Sequence, residues 1–152
     1  MKLIYHCYGG AHSSVVAASL HVGLLAKDRS PTLEELLELP YFDIPRGKDH
    51  GQLQYFGTDE KGYEVYNLGR RNAAKQVESV LLGARSVFPE ITGETILVDV
   101  LGYVNWIMVL GGYTSRKLGI TRIGRPVVSV GTQKSFWKLV ALVEQVKKGL
   151  RG

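Results

Sequence analysis

The segment His6-Cys7-Tyr8-Gly9-Gly10-Ala11-His12-Ser13-Ser14 concentrates groups that can do chemistry. A thiol, two imidazoles and two hydroxyls surround a glycine pair. Glycines let backbone N–H groups approach an anion unobstructed, and a helix N-terminus behind them adds about half a positive charge. The hydroxyls can donate to phosphate oxygens, and Ser13 can hold a metal. His12 adds a charge that switches near neutral pH. The segment therefore reads as a phosphate cradle, with Gly9, Gly10, Ser13 and Ser14 as ligand-binding residues.

Two loop chemistries compete for it. A phosphate-binding P-loop ends in G-K-[ST]. Gly10-Ala11-His12-Ser13-Ser14 is similar, with His12 in the lysine's place and one glycine missing. Cysteine-dependent phosphatases carry H-C-x-x-G-x-x-R, in which a thiolate attacks phosphorus. His6, Cys7 and Gly10 match that pattern, but Ser13 stands where the family needs arginine for bidentate phosphate binding. A third reading makes Cys7 a small buried hydrophobe near a strand end.

Other candidates lie further along. The loop Pro45 to Gly51 offers Lys48 as a phosphate ligand and His50 as an acid or base. Arg70 and Arg71 follow Gly69 and would open a helix, where positive charge opposes the macrodipole unless an anion is held there. Thr95 to Asp99 is an apolar run closed by an aspartate, a pattern that can hold Mg²⁺ through Asp99. Arg116, Arg125 and Thr132 add donors in the last third, Thr132 at an expected strand-to-helix turn. His12, Cys7, Asp99 and His50 are the candidate catalytic groups, and Asp99 and Ser13 the candidate metal ligands. His21 lies inside the first expected helix and reads as structural.

These residues need a frame. Lys2 to Tyr8 reads as a strand and Val15 to Ala26 as a helix capped by Ser13 or Ser14. Thr32 can cap a short helix, Leu33 to Leu39. Gln52 to Gly57 and Tyr63 to Leu68 alternate around a polar turn and predict a hairpin, either an insertion or an edge. Arg70 to Phe88 predicts a helix, Thr95 to Val100 a buried strand, and Asn105 to Leu118 a helix ended by Gly119. Trp106 reads as core. Pro126 to Val130 predicts another buried strand, and Thr132 to Lys148 a last amphipathic helix. Strands alternating with helices imply an α/β fold. The expectation is a three-layer sandwich with a mainly parallel sheet, P-loop-like or Rossmann-like. If the strands are parallel, Gly131-Thr132 shares a sheet edge with Gly9 to Ser14.

Composition narrows the class. The 152 residues fit one domain, 1–152, with 45% hydrophobic and 22% charged residues, which excludes a disordered chain. The net charge of +5 is uneven: residues 113–152 carry nine basic groups and Glu144, while the first 112 residues are net acidic. Such a basic third favours anionic partners. One cysteine and no leader-like N-terminus suggest a cytoplasmic protein. The apolar stretch Ile96 to Leu110 is too short to span a bilayer.

The motif order resembles a small uncharacterised family found mainly in Firmicutes, a domain of unknown function. Tyr5 to Ser14, Gly57 to Asn72, Gly124-Arg125-Pro126 and Gly131-Thr132 carry the resemblance. It implies a cytoplasmic bacterial protein and brings no activity or site residues. The residues themselves predict binding of a phosphorylated small molecule, a nucleotide first of all. Phosphoryl transfer or phosphate-ester hydrolysis is the expected reaction class if there is turnover. The alternatives are a Cys7-dependent hydrolase and a non-catalytic module for RNA or an acidic protein.

Overall fold

A computed structural model describes residues 1–44, 51–89 and 93–150. Four strands form one mixed sheet: β1 (Lys2–Cys7), β2 (Leu53–Thr58), β3 (Glu64–Gly69) and β4 (Thr95–Asp99), in the order β2-β3-β1-β4. β3, β1 and β4 run parallel, and β2 closes one edge antiparallel to β3. The predicted hairpin is present but is no insertion. Its second strand, β3, pairs with β1 from Lys2↔Glu64 to Cys7↔Gly69.

Alternation along β1 gives the sheet two faces. Leu3, Tyr5 and Cys7 point to one; Ile4 and His6 point to the other. The first face packs on α1 (Ser13–Val22), against which the long C-terminal helix α5 (Thr121–Gly149) lies in turn, and Leu3, Tyr5, Val15, Leu20, Phe136 and Leu139 share one buried core. α3 (Ala74–Val87) has no fully buried residue and adds nothing to the buried core. α2 (Leu33–Glu38) begins with the expected cap: Thr32 accepts from the Glu35 amide and the Glu35 carboxylate accepts from the Thr32 amide.

The largest correction concerns Pro126 to Val130. This run is not a strand but part of α5, a helix of 29 residues with Pro126 inside it. β-branched residues beside proline suggest a strand by propensity. Packing overrides them. α5 lies against α4 (Trp106–Gly112) and a π-helical segment, Tyr113–Lys117, with backbones almost touching. A Cβ on Gly111 would stand 2.3 Å from the Val128 nitrogen, and one on Gly124 would stand 2.3 Å from the Ser115 nitrogen. Asn105 caps α4, accepting from the Met108 amide at 3.0 Å, and donates to the Gly131 carbonyl and the Ser135 hydroxyl. Trp106, expected in the core, is 73% exposed.

A buried polar chain ties α1 to the hairpin. The Tyr5 hydroxyl donates to His21 Nδ1 at 2.8 Å, and His21 Nε2–H donates to Asp59 at 3.0 Å. Asp59 also accepts from the amides of Lys61 and Tyr63, fixing the β2–β3 turn. His21 is thus satisfied on both nitrogens inside the fold.

Candidate functional site

β1 ends at Cys7, and the chain crosses to α1 through Tyr8 to His12. The crossing runs hard against β3. Gly10 has φ +63°, and a Cβ there would lie 2.5 Å from the Gly69 nitrogen. Only glycine combines that backbone angle with that approach. The turn folds back over the sulfur of Cys7. The Gly10 N–H donates to Sγ at 3.2 Å, and the Ser14 hydroxyl lies 3.0 Å from it. Cys7 is 5% exposed, so it is held by polar groups rather than by hydrocarbon alone.

His12 takes the N-cap position of α1 but makes no capping bond. Its ring is turned instead to a carboxylate, with Nε2–H donating to Asp43 at 2.9 Å. Asp43 is fully buried and also accepts from the Ser115 hydroxyl, and Arg125 stands 3.5 Å away. Burial opposes ionisation of Asp43, yet the hydrogen bonds from His12 and Ser115 outweigh it and hold the carboxyl below its usual range. Asp43 is not among the candidates that the sequence suggests. It follows a tyrosine and a phenylalanine in a short polar-looking stretch, and nothing in that spacing announces a buried acid.

The π-helical turn delivers adjacent residues to this place. Ser115 meets Asp43, while the Arg116 guanidinium donates to the Gly9 carbonyl at 3.3 Å. A buried Nε of Arg116 and the buried hydroxyl of Ser13 have no hydrogen-bond partner among the described residues. Both residues line an open cleft of about 910 Å³, together with Cys7, His12 and Arg71. The opposite wall is apolar: Leu101, Val104, Met108, Val109 and Tyr113.

Other sequence candidates fall elsewhere. Arg70 and Arg71 precede the helix rather than opening it, since α3 starts at Ala74. Arg70 is buried on the His6 face, donating to His6 Nδ1 at 2.8 Å and to Asp99 at 2.7 Å. The second Asp99 oxygen accepts from the Leu101 amide. Asp99 and Ser13 therefore serve different faces of the sheet and do not form one metal site. Among the described residues no three His, Cys, Asp or Glu side chains cluster as metal ligands. Thr132 is no helix cap. It sits inside α5 with its hydroxyl donating to the Val128 carbonyl, so the expected second anion-binding turn does not exist. Lys48 and His50 lie outside the described residues.

The titration of these groups makes a checkable prediction. Burial pushes His6 and His21 below the ordinary imidazole value. The unfolded chain regains the ordinary value of about 6.5 and so binds more protons there. Stability is therefore expected to hold above that pH and to fall as the pH drops below it. A second loss follows below about pH 4, where the depressed carboxyls of Asp43 and Asp59 take up protons. Calorimetric melting across a range from neutral to acid pH checks both steps. A melting temperature unchanged on going from neutral pH to about 5 would contradict the first.

The described residues form an α/β fold built on one four-stranded mixed sheet, with an open cleft at the carboxyl end of β1. Residues 2–148 match the model of the family described as protein of unknown function, DUF3189, and the chain belongs to that family. Comparison with curated proteins and comparison with solved structures each found no match. No helix among the described residues is long and apolar enough to cross a membrane.

Proposed function

We propose that the Cys7–Ser14 turn and its cleft bind a small molecule that carries a phosphate on an apolar or aromatic body, a nucleotide being the first choice. One observation carries this reading: Ser13 and Arg116, whose buried hydroxyl and Nε have no partner among the described residues, both line the cleft. A buried donor left unpaired costs about 1–3 kcal/mol, which an anion at that place would recover. Arg71 and Lys117 add positive charge at the rim, and the apolar wall fits a base or ring.

The RNA or acidic-protein alternative draws less support. Phe136, Leu139 and Val143 of α5 are buried, so that helix spends its apolar face on the core. Lys147 pairs with Glu60 and Arg125 with Asp43, which removes two of its cations from any flat basic surface.

Thermal-shift titration with orthophosphate, sugar phosphates and nucleotides tests the proposal. Binding raises the melting temperature according to the ligand excess over Kd. Arg116→Ala is expected to weaken affinity at least tenfold, the equivalent of about 1.4 kcal/mol. A wild-type protein that none of these compounds stabilises would sink the reading. So would full affinity in the Arg116→Ala protein.

A further inference from the structure

Resting on that phosphate reading, we infer that Cys7 is the nucleophile of a phosphate-monoester hydrolase, with Arg116 supplying the guanidinium that the loop itself lacks. The sequence places Ser13 where an arginine would be needed, and on that ground alone the loop is incomplete. The fold repairs the gap from a distance. Arg116, far along the chain, lays its guanidinium against the Gly9 carbonyl and lines the same cleft as the sulfur.

Three further observations converge. The Cys7 sulfur accepts from the Gly10 N–H at 3.2 Å and lies 3.0 Å from the Ser14 hydroxyl, so two polar groups already surround the atom that would attack. It also lies at the N-terminal end of α1, whose backbone dipole acts in the same sense. Ser13, whose buried hydroxyl is unpartnered among the described residues, lines the same cleft.

His12 completes the set. Asp43 holds its Nε2–H, which leaves Nδ1 as the nitrogen that can carry a moving proton. The reaction balances with these parts. The Cys7 thiolate attacks phosphorus, an S–P bond forms and the ester P–O bond breaks. The leaving oxygen keeps the bonding pair and takes a proton from His12. Water then attacks the phosphocysteine and gives a proton back to His12. The S–P pair returns to sulfur and inorganic phosphate departs. Arg116 holds the equatorial oxygens in both steps.

The test uses the full chain and para-nitrophenyl phosphate, an aryl monoester suited to the apolar wall. Wild type is expected to turn it over, and acid quenching during turnover is expected to leave a phosphoryl group on the peptide that contains Cys7. Cys7→Ser is expected to keep the phosphate-induced thermal shift and lose turnover by about a thousandfold or more. Arg116→Lys keeps the charge but not the fork, and a loss of about a hundredfold is expected. His12→Asn is expected to slow an alkyl phosphate more than the nitrophenyl ester, whose leaving group needs no proton. A phosphate-induced shift without turnover overturns this inference and leaves phosphate binding standing. So does wild-type turnover in Cys7→Ser, or turnover with no phosphocysteine trapped on wild type, a readout that does not depend on a variant folding. Absence of the phosphate shift in wild type overturns the binding reading as well.

Discussion

Gly111→Ala is expected to destabilise the protein by at least about 3 kcal/mol, a large share of the stability of a typical domain. Helix propensity alone gives the opposite sign, because alanine is the better helix former by about 1 kcal/mol. Geometry decides. The new Cβ would sit 2.3 Å from the Val128 nitrogen and 2.7 Å from its Cα. These are backbone atoms inside a 29-residue helix, and they cannot step aside like the end of a flexible side chain. α4 would have to lift from α5 and break the Asn105 bonds to Gly131 and Ser135. Gly83 provides the control. It lies within α3, and a Cβ added there would meet nothing within 4 Å, so Gly83→Ala is expected to stabilise by roughly 0.5–1 kcal/mol. Urea unfolding of the two variants should give shifts of opposite sign. Equal shifts would show that the α4–α5 contact is looser than described.

The second large effect is expected at Asp43. Asp43→Asn should cost about 3 kcal/mol or more, because it leaves buried donors without their acceptor. The backbone is a neutral party in this substitution. Asp43 has φ +48°, and asparagine tolerates that region as well as aspartate does. What changes is the charge. His12, Ser115 and Arg125 come from three different elements, and all turn toward one carboxylate. An amide offers one oxygen in place of two and adds donors that face donors. The loss should be accompanied by weaker phosphate binding, since both His12 and the turn carrying Arg116 lose their anchor. Unfolding and ligand titration of one preparation would measure both. A stable Asp43→Asn protein with unchanged phosphate affinity would show that the carboxylate is not the anchor.

The sequence speaks clearly where local chemistry and packing agree. β1, α1, the hairpin and β4 have apolar patterns bounded by turn residues, and the structure follows them. The capping box at Thr32 is a local signal and forms accordingly. Pro126 to Val130 is different. Its local preference is extended, and what holds it helical is a neighbouring backbone that only glycines at 111, 124 and 131 allow so close. In a linear chain Gly124 and Gly131 look like turn formers, because their partners across the contact are invisible there. The candidate site divides in the same way. Cys7, the glycine pair and the serines are contiguous and legible. Arg116 stands out as a donor, but its destination at Gly9 depends on how α4 and α5 pack. Asp43 carries no local signal, since burial makes it important and burial is a tertiary property.

The π-helical turn at Tyr113–Lys117 has a consequence for descent. Such a turn holds one residue more than an ordinary helix needs over the same path, and π turns recur at functional sites. Removing a single residue there would restore regular winding and swing Arg116 by about 100° around the axis, off the Gly9 carbonyl. Composition and charge would scarcely change. A lineage could then surrender the guanidinium through a one-codon deletion while every flanking side chain stayed the same. The length of this segment then matters to the site as much as the identity of its residues.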